Sequence, residues 1–482
     1  MSQTEKKVSQ TTPDTDPFTA EVIKDSLQAL CDEMAVAMVK TAISAVIHEI
    51  HDFAVCVNDP QGRTLCQGNG VPVFTGLIEP GIQAIIKKFQ PKGEVEPGDI
   101  FITNDPYGGG GAHLNDVSIV KPVYFDGEIV AWVANKGHWQ DIGGMAFGSV
   151  TSEATELYQE GLILPQVKLY SRGEPIQSTL DIILANNRIP IPAMGDIRAG
   201  VAALKVGEQQ VLDLVNKFGV STVHYAMENL IEYGEQVTRD ALAKIPDGIY
   251  EAQDWIEDGQ PKAEQVEIKV KVIVEGDEMT IDLRGNPKQF ENSYNCTHIL
   301  TRSGVQIAFK AITSPNSVGN HGTYRPLKVL TDPGTIVDCD SPAPVSMYAQ
   351  VFIALTDLIW KAMAPVLPER LGAGHYASLS AMIMATTHPE TGQYVIGGMP
   401  HPGGWGAGPD ADGTPAQYCV ADGDSQNIPV EVAEARFGIE LLQYGLHDIP
   451  GGEGQWRGGK GVIFDYKIRA DEGGLMTVFC GR

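Results

Sequence analysis

The sequence has no run approaching the roughly eighteen consecutive apolar residues that a membrane-spanning helix needs. Its amino terminus, MSQTEKKVSQTTPDTDP, is polar where a signal peptide carries an apolar core. The expectation is a cytoplasmic protein with no membrane contact. Cysteine is scarce. The seven present (Cys31, Cys56, Cys66, Cys296, Cys339, Cys419 and Cys480) are scattered and nowhere in C-x-x-C spacing. That argues against a disulfide framework and a cysteine zinc site, and for buried reduced thiols. Basic residues are also in short supply. Thirty-five Lys and Arg against sixty-one Asp and Glu give a net charge of -26 and a pI near 4.7, a surface that repels nucleic-acid phosphates. A nucleotide fingerprint is missing too. Gly454 to Lys460 fits G-x-x-x-x-G-K, but Gly461 stands where a phosphate-binding loop needs Ser or Thr, and Val462-Ile463-Phe464 reads as strand where it needs helix. Any ATP used must be bound by another subunit. There is no internal repeat, and no Ser or Cys nucleophile with its own base can be picked out.

What is present is concentrated in one stretch, Asp99 to Gly144, reading DIFITNDPYGGGGAHLNDVSIVKPVYFDGEIVAWVANKGHWQDIGG. Val117–Tyr124 and Ile129–Ala134 are β-branched and aromatic runs joined by Asp126-Gly127, a strong hairpin signal because both central turn positions need φ > 0. Pairing outward from that turn sets Asn115 and Asp116 within about one residue of His138. His113, Asp116 and His138 therefore converge at the open end. Two imidazoles and a carboxylate with coordination positions left over suit a catalytic zinc, manganese or iron, whereas a structural zinc would more often show cysteines. Gly108–Gly111, directly upstream, let backbone approach a ligand closely. The alternative is a glycine-rich loop with solvated histidines.

Residues 1–17 read as a flexible tail. From Thr19 to about Ile50 the apolar spacing predicts one long amphipathic helix, whose end delivers His48, Glu49, His51 and Asp52 ahead of a strand at Phe53–Val57. A helix is expected at Glu79–Phe89. Two more span Asp196–Gly234, broken near Phe218-Gly219, with a third from Glu235 to about Lys244. Pro246-Asp247-Gly248 marks a soft boundary into a β-rich region with a hairpin around Gly276-Asp277. Asn292–Ile312 and Val345–Val366 read as apolar core helices with their connections, and the last hundred residues as glycine-rich strands. The fold class is α+β: multi-domain, with mixed and antiparallel sheets. Its parts are the tail 1–17, an α/β metal-site domain 18–245 and a glycine-rich β domain 246–482.

At Phe101-Ile102-Thr103-Asn104-Asp105-Pro106-Tyr107, His113-Leu114-Asn115-Asp116 and Gly137-His138-Trp139-Gln140-Asp141-Ile142-Gly143-Gly144 the sequence resembles the hydantoinase B/oxoprolinase family. His51-Asp52-Phe53, Glu160-Gly161-Leu162, Gly195-Asp196-Ile197, Pro246-Asp247-Gly248 and Arg457-Gly458-Gly459 extend the likeness over nearly the whole chain. The resemblance implies a hetero-oligomer with a hydantoinase A-type ATPase subunit. It implies a divalent metal on His113, Asp116 and His138, with Asp52 as a further ligand, and His51 and Asp141 as candidates for the surrounding shell. Many lactam hydrolases of the family show H-L-P-D and a second histidine after the last ligand. Asn115 and Trp139 here look instead like the ketone carboxylases, in which ketone and bicarbonate give a β-keto acid at the expense of ATP. The expected enzyme is thus the metal subunit of an acetophenone- or acetone-type carboxylase, a ligase. The alternatives are a subunit of an ATP-dependent hydantoin, lactam or 5-oxoproline hydrolase, or a non-catalytic scaffold. Family members usually continue past the R-G-G segment, whereas this sequence stops at Arg482. The expectation is a truncated chain, or a remainder carried on another polypeptide.

Overall fold

The computed structural model describes residues 16–68, 70–257, 264–423 and 425–479. Nearly all of the expected tail, residues 1–15, lies outside these. The first helix, α1 (Pro17–Thr41), opens on the cap Asp16, whose carboxylate accepts the Phe18 and Thr19 amides. Its apolar stripe buries Ile23, Leu27, Leu30, Met34 and Met38. The single helix expected to Ile50 is in fact two. The chain leaves the helix at Ala42, and Ser44 caps a second, short α2 (Ala45–His48). The buried Asp196 carboxylate accepts the amides freed at Ile43 (3.2 Å) and Ser44 (3.1 Å), which satisfies the break.

A seven-stranded sheet follows from β1 (Phe53–Asn58), β2 (Thr64–Gln67), β3 (Ile100–Thr103), β4 (Asp116–Phe125), β5 (Glu128–His138), β6 (Val167–Ser171) and β7 (Glu174–Pro175). Its order is β2-β1-β5-β4-β3-β6-β7. On the way the chain forms α3 (Pro72–Phe89), longer than the expected Glu79–Phe89, because Pro72 starts the helix and Pro80 sits inside it. After the sheet come α4 (Gln177–Ala185), α5 (Pro190–Phe218) and α6 (Val220–Leu242). The expected break at Gly219 is present, but no new helix starts at Glu235. Gly234 lies inside α6, where a Cβ would stand 2.3 Å from the Asn320 Oδ1, so this glycine serves close approach rather than a turn.

The remainder contains β8 (Gly248–Glu257), β9 (Gln265–Glu275), β10 (Glu278–Asp282), α7 (His298–Thr313), β11 (Leu327–Leu330), α8 (Ala349–Met363), β12 (Ala381–Thr387), β13 (Tyr394–Pro400), α9 (Val430–Phe437), β14 (Ile439–Leu446), β15 (Val462–Ile468) and β16 (Gly474–Phe479). These strands build a four-stranded sheet (β11-β10-β9-β8), a three-stranded sheet (β13-β12-β16) and the pair β14-β15. One large apolar core joins α3 and β1 to α7, α8, β9 and β10, and a second packs α1, α5 and α6 on the other face of the seven-stranded sheet. The molecule is α+β. The six described cysteines are buried free thiols. Among the described residues no helix is long and apolar enough to cross a membrane.

Candidate metal centre

Sheet register alone brings the first residues of the site together. In the β4–β5 hairpin Asp116 stands directly opposite His138. On the other side of β5, Phe53 pairs with Gly137, so the next pair outward is Asp52 with His138, and the His138 amide donates to the Asp52 carbonyl (3.0 Å). Three adjacent strand ends thus present Asp52, His138 and Asp116 in a row. The loop before β4 adds His113. Its tight course needs small residues, since a Cβ on Gly111 would meet the carbonyl oxygens of His113 (2.6 Å) and Asp116 (2.9 Å).

The His113 Nε2 lies 3.2 Å from the His138 Nδ1 and 3.2 Å from the Asp116 Oδ1, and the His138 Nδ1 lies 3.3 Å from the same oxygen. Asp52 is the outlying member, 4.0 Å from the His138 Nδ1. The Asp116 Oδ2 faces away and accepts the Ala112 and His113 amides, which fixes its orientation. Two imidazole nitrogens and one carboxylate oxygen, about 3 Å apart, match ligands spaced around an ion at roughly 2.0–2.2 Å. The buried His113 Nδ1 has no partner among the described residues. The ring of Tyr348 stands edge-on to His113, with centroids 5.4 Å apart.

Electrostatics divides the carboxylates. Burial opposes ionisation of Asp116, yet the two imidazoles outweigh it and hold this group well below the usual carboxylate range. Burial pushes Asp52 up to about 7, with His138 opposing. Asp422 was not legible in the sequence. It reaches the same cavity from the loop between β13 and α9, accepts a bond from the Cys419 thiol (3.4 Å), and is pushed by burial up to about 6. Lys136 was also missed, although it lies between the motif residues. It is fully buried, donates to the Gly110 carbonyl oxygen, and is brought down by burial to about 8 while Asp116 pulls the other way. A lysine directly following the apolar run Ile129–Ala134 and Asn135 was the available signal.

The remaining candidates fall outside this cluster. Asp141 is buried in an ion pair with Arg188 (2.9 Å) and accepts the Arg188, Gly143 and Gly148 amides, so it braces the loop after β5. His51, at positive φ, packs edge-on against Phe53. Asn115 donates to the carbonyl oxygens of Trp139 (2.8 Å) and Gly148 (3.0 Å), and Trp139 is buried in the core behind the sheet. Neither Asn115 nor Trp139 lines the cavity.

That cavity, about 250 Å³, opens from the cluster between α2, the start of α8 and the three-stranded sheet. Its walls include Val46, Ile50, Phe74, Met382, Ile396 and Met399. Fold and cavity together define an α+β protein with a His–Asp–His cluster at the mouth of a mainly apolar chamber. The chain belongs to the hydantoinase B/oxoprolinase family, whose model matches residues 16–482. It is 30% identical over 456 residues to caprolactamase subunit beta of Pseudomonas jessenii, covering 93% of this chain and 77% of that one. It is 32% identical over 458 residues to an uncharacterized protein of Methanocaldococcus jannaschii, covering 95% and 79%. The crystal structure of the ATP-dependent caprolactamase from Pseudomonas jessenii matches with a TM-score of 0.89 at 29% identity, covering 94% of this chain and 78% of that one. A nucleotide-free acetone carboxylase structure also matches at 0.89, with 18% identity and coverages of 97% and 64%, which is a likeness of fold.

Proposed function

We propose that this chain is the metal-bearing subunit of an ATP-dependent complex acting at a carbonyl carbon, and that its reaction is the opening of a cyclic amide. The observation that carries the first part is the triangle of His113 Nε2, His138 Nδ1 and Asp116 Oδ1, with Asp52 beside it. Charge supports the same reading. The Asp116 carboxylate, held ionised between two imidazoles, is the anionic member of a donor set that suits a divalent ion. A divalent zinc, manganese or iron held there supplies a Lewis acid that polarises a carbonyl or acidifies a bound water. The residues around it have separate tasks. Lys136 steadies Asp116 and the Gly110 turn, the buried Tyr348 shields His113 from water, and Asp422 presents a carboxylate able to hold a proton at the cavity wall.

Amide opening is favoured over ketone carboxylation by the likeness to caprolactamase along most of both chains. Asn115 and Trp139, the two residues whose pattern speaks for a carboxylase, shape the loop scaffold and stay clear of the reacting space. Carboxylation of a ketone with bicarbonate is the second reading, resting on that pattern alone. ATP is bound by a hydantoinase A-type partner subunit, because this chain lacks a phosphate-binding fingerprint. Gly454–Lys460 is irregular and leads into strand β15.

The test is substrate profiling of the assembled complex. ATP-dependent opening of a lactam or hydantoin with no uptake of labelled bicarbonate supports the proposal. Bicarbonate-dependent formation of a β-keto acid from a ketone selects the second reading. ATP turnover by the purified single chain would contradict the assignment of ATP to a partner.

A further inference from the structure

Among the described residues no lysine or arginine lines the cavity. The buried Lys136 is turned away to the Gly110 carbonyl. Two polar side chains of the wall are already engaged: the Gln140 Nε2 donates to the Ile396 carbonyl oxygen (3.2 Å) and the Ser346 hydroxyl to the Thr151 carbonyl oxygen (2.9 Å). The charged groups that do face the space are carboxylates, Asp52, Asp116, Asp422 and Glu257. The three-stranded sheet lines the same space through Met382, Ile383 and Val478 and, on β13, through apolar Ile396 and Met399 with Gly398 between them.

From this we propose that the cavity selects an uncharged substrate with an apolar body and rejects one carrying a carboxylate remote from the reacting carbonyl, with the apolar residues of β13 in the selecting wall. The inference rests on the carbonyl-centred reading above and narrows its substrate class. A carboxylate at the cluster end can be drawn to a divalent ion, whereas one placed against β13 loses its hydration, finds no cation and stands in the field of Asp422. Members of a family whose name includes oxoprolinase face such an anion. Among the described residues this chamber offers it no lysine or arginine.

The test uses matched pairs that differ by one carboxylate: 2-pyrrolidinone against 5-oxoproline, and acetophenone against 4-acetylbenzoate. With the assembled complex the neutral member of the pair that reacts is expected to show a kcat/KM higher by roughly a hundredfold or more. Equal or better turnover of the carboxylated member overturns the proposal and leaves the carbonyl-centred reading intact. If none of the four reacts, that reading has failed for these substrates, and selection is read separately from paramagnetic relaxation of the same probes by the Mn²⁺-loaded protein. There the neutral members should again bind more tightly, and their failure to do so overturns the proposal. A second measurement comes from Gly398→Lys, at a strand position where a Cβ would meet only the Met382 carbonyl oxygen, at 3.7 Å. An ammonium there is expected to reduce the discrimination about tenfold or more. Unchanged discrimination would place selection outside this cavity and overturn the proposal.

Discussion

The seven-stranded sheet and the three-stranded sheet face each other across one cavity and are built on different terms. On the first, the ends of β1, β5 and β4 carry charged and imidazole side chains that are buried or half-buried and tied by backbone register, with Asp116 fixed by two amides and Lys136 locked on Gly110. On the second, β12 and β13 present Met382, Ile396 and Met399 with no ionic anchor, and beyond them β16 exposes Leu475, Met476 and Val478. Chemistry requires donor atoms placed to within a few tenths of an ångström, which only a continuous hydrogen-bonded ladder supplies. Selection requires only shape and polarity, which a sheet edge can vary without disturbing the ligands.

If this division holds, the largest effects should come from the ligand side. His113→Ala or His138→Ala is expected to abolish bound metal and turnover while the complex stays assembled, as read by elemental analysis and gel filtration. A double variant that keeps a stoichiometric divalent ion would break the comparison at its root. Asp52→Ala, at the margin of the cluster, should cost roughly ten- to a hundredfold in metal affinity or activity. Asp422→Asn should lower turnover while leaving metal content unchanged, because Asp422 arrives from the opposite half of the chain and is not part of the triangle. Metal loss in Asp422→Asn would move that residue to the ligand side.

On the selecting side, Ile396→Ala should destabilise the fold by about 2–5 kcal/mol and change relative substrate preference with metal content intact. Denaturant melts together with elemental analysis would separate the two effects. The smallest expected effect concerns the joint between the halves. Glu160 is buried where it accepts the amides of Val345 (2.9 Å) and Ser346 (2.8 Å) ahead of α8, and burial pushes it up from 4.5 to about 7. A carboxyl raised on folding holds its proton more tightly in the folded state, so its contribution to stability falls as pH rises from about 4.5 to about 7 and stays low above that. Glu160→Gln should flatten this dependence and, at pH 8, stabilise by roughly 1–3 kcal/mol. An unchanged pH profile of urea melts would show that Glu160 is not the group responsible.

Much of the ligand side was legible in the residues. The Asp126-Gly127 turn forces a two-residue hairpin, and counting outward from it brings Asp116 within one residue of His138; a β-bulge between Val123 and Tyr124 supplies the last step of register. The α-helical stripe of α1 and the rejection of a phosphate loop before β15 were equally local matters. Other expectations were overridden by distant groups. Asp196, on a helix more than 150 residues away in sequence, ends α1 by accepting the Ile43 and Ser44 amides, and Asn320 explains a glycine that local reading took for a break. Asn115 and Trp139 were visible as a pattern, but only their packing shows that they build scaffold.

The sequence by itself determined the elements whose cause is short-range: the hairpin, its turn, and its register to within the one residue that the bulge at Val123 and Tyr124 then settles. Only the tertiary structure decided that Asp422, Tyr348 and β13 close around that hairpin and that, among the described residues, no lysine or arginine lines the space. The physical reason is that turn geometry and strand alternation act over a few residues. A cavity is what remains between surfaces brought together by the burial of apolar area, and that burial carries no record of separation along the chain.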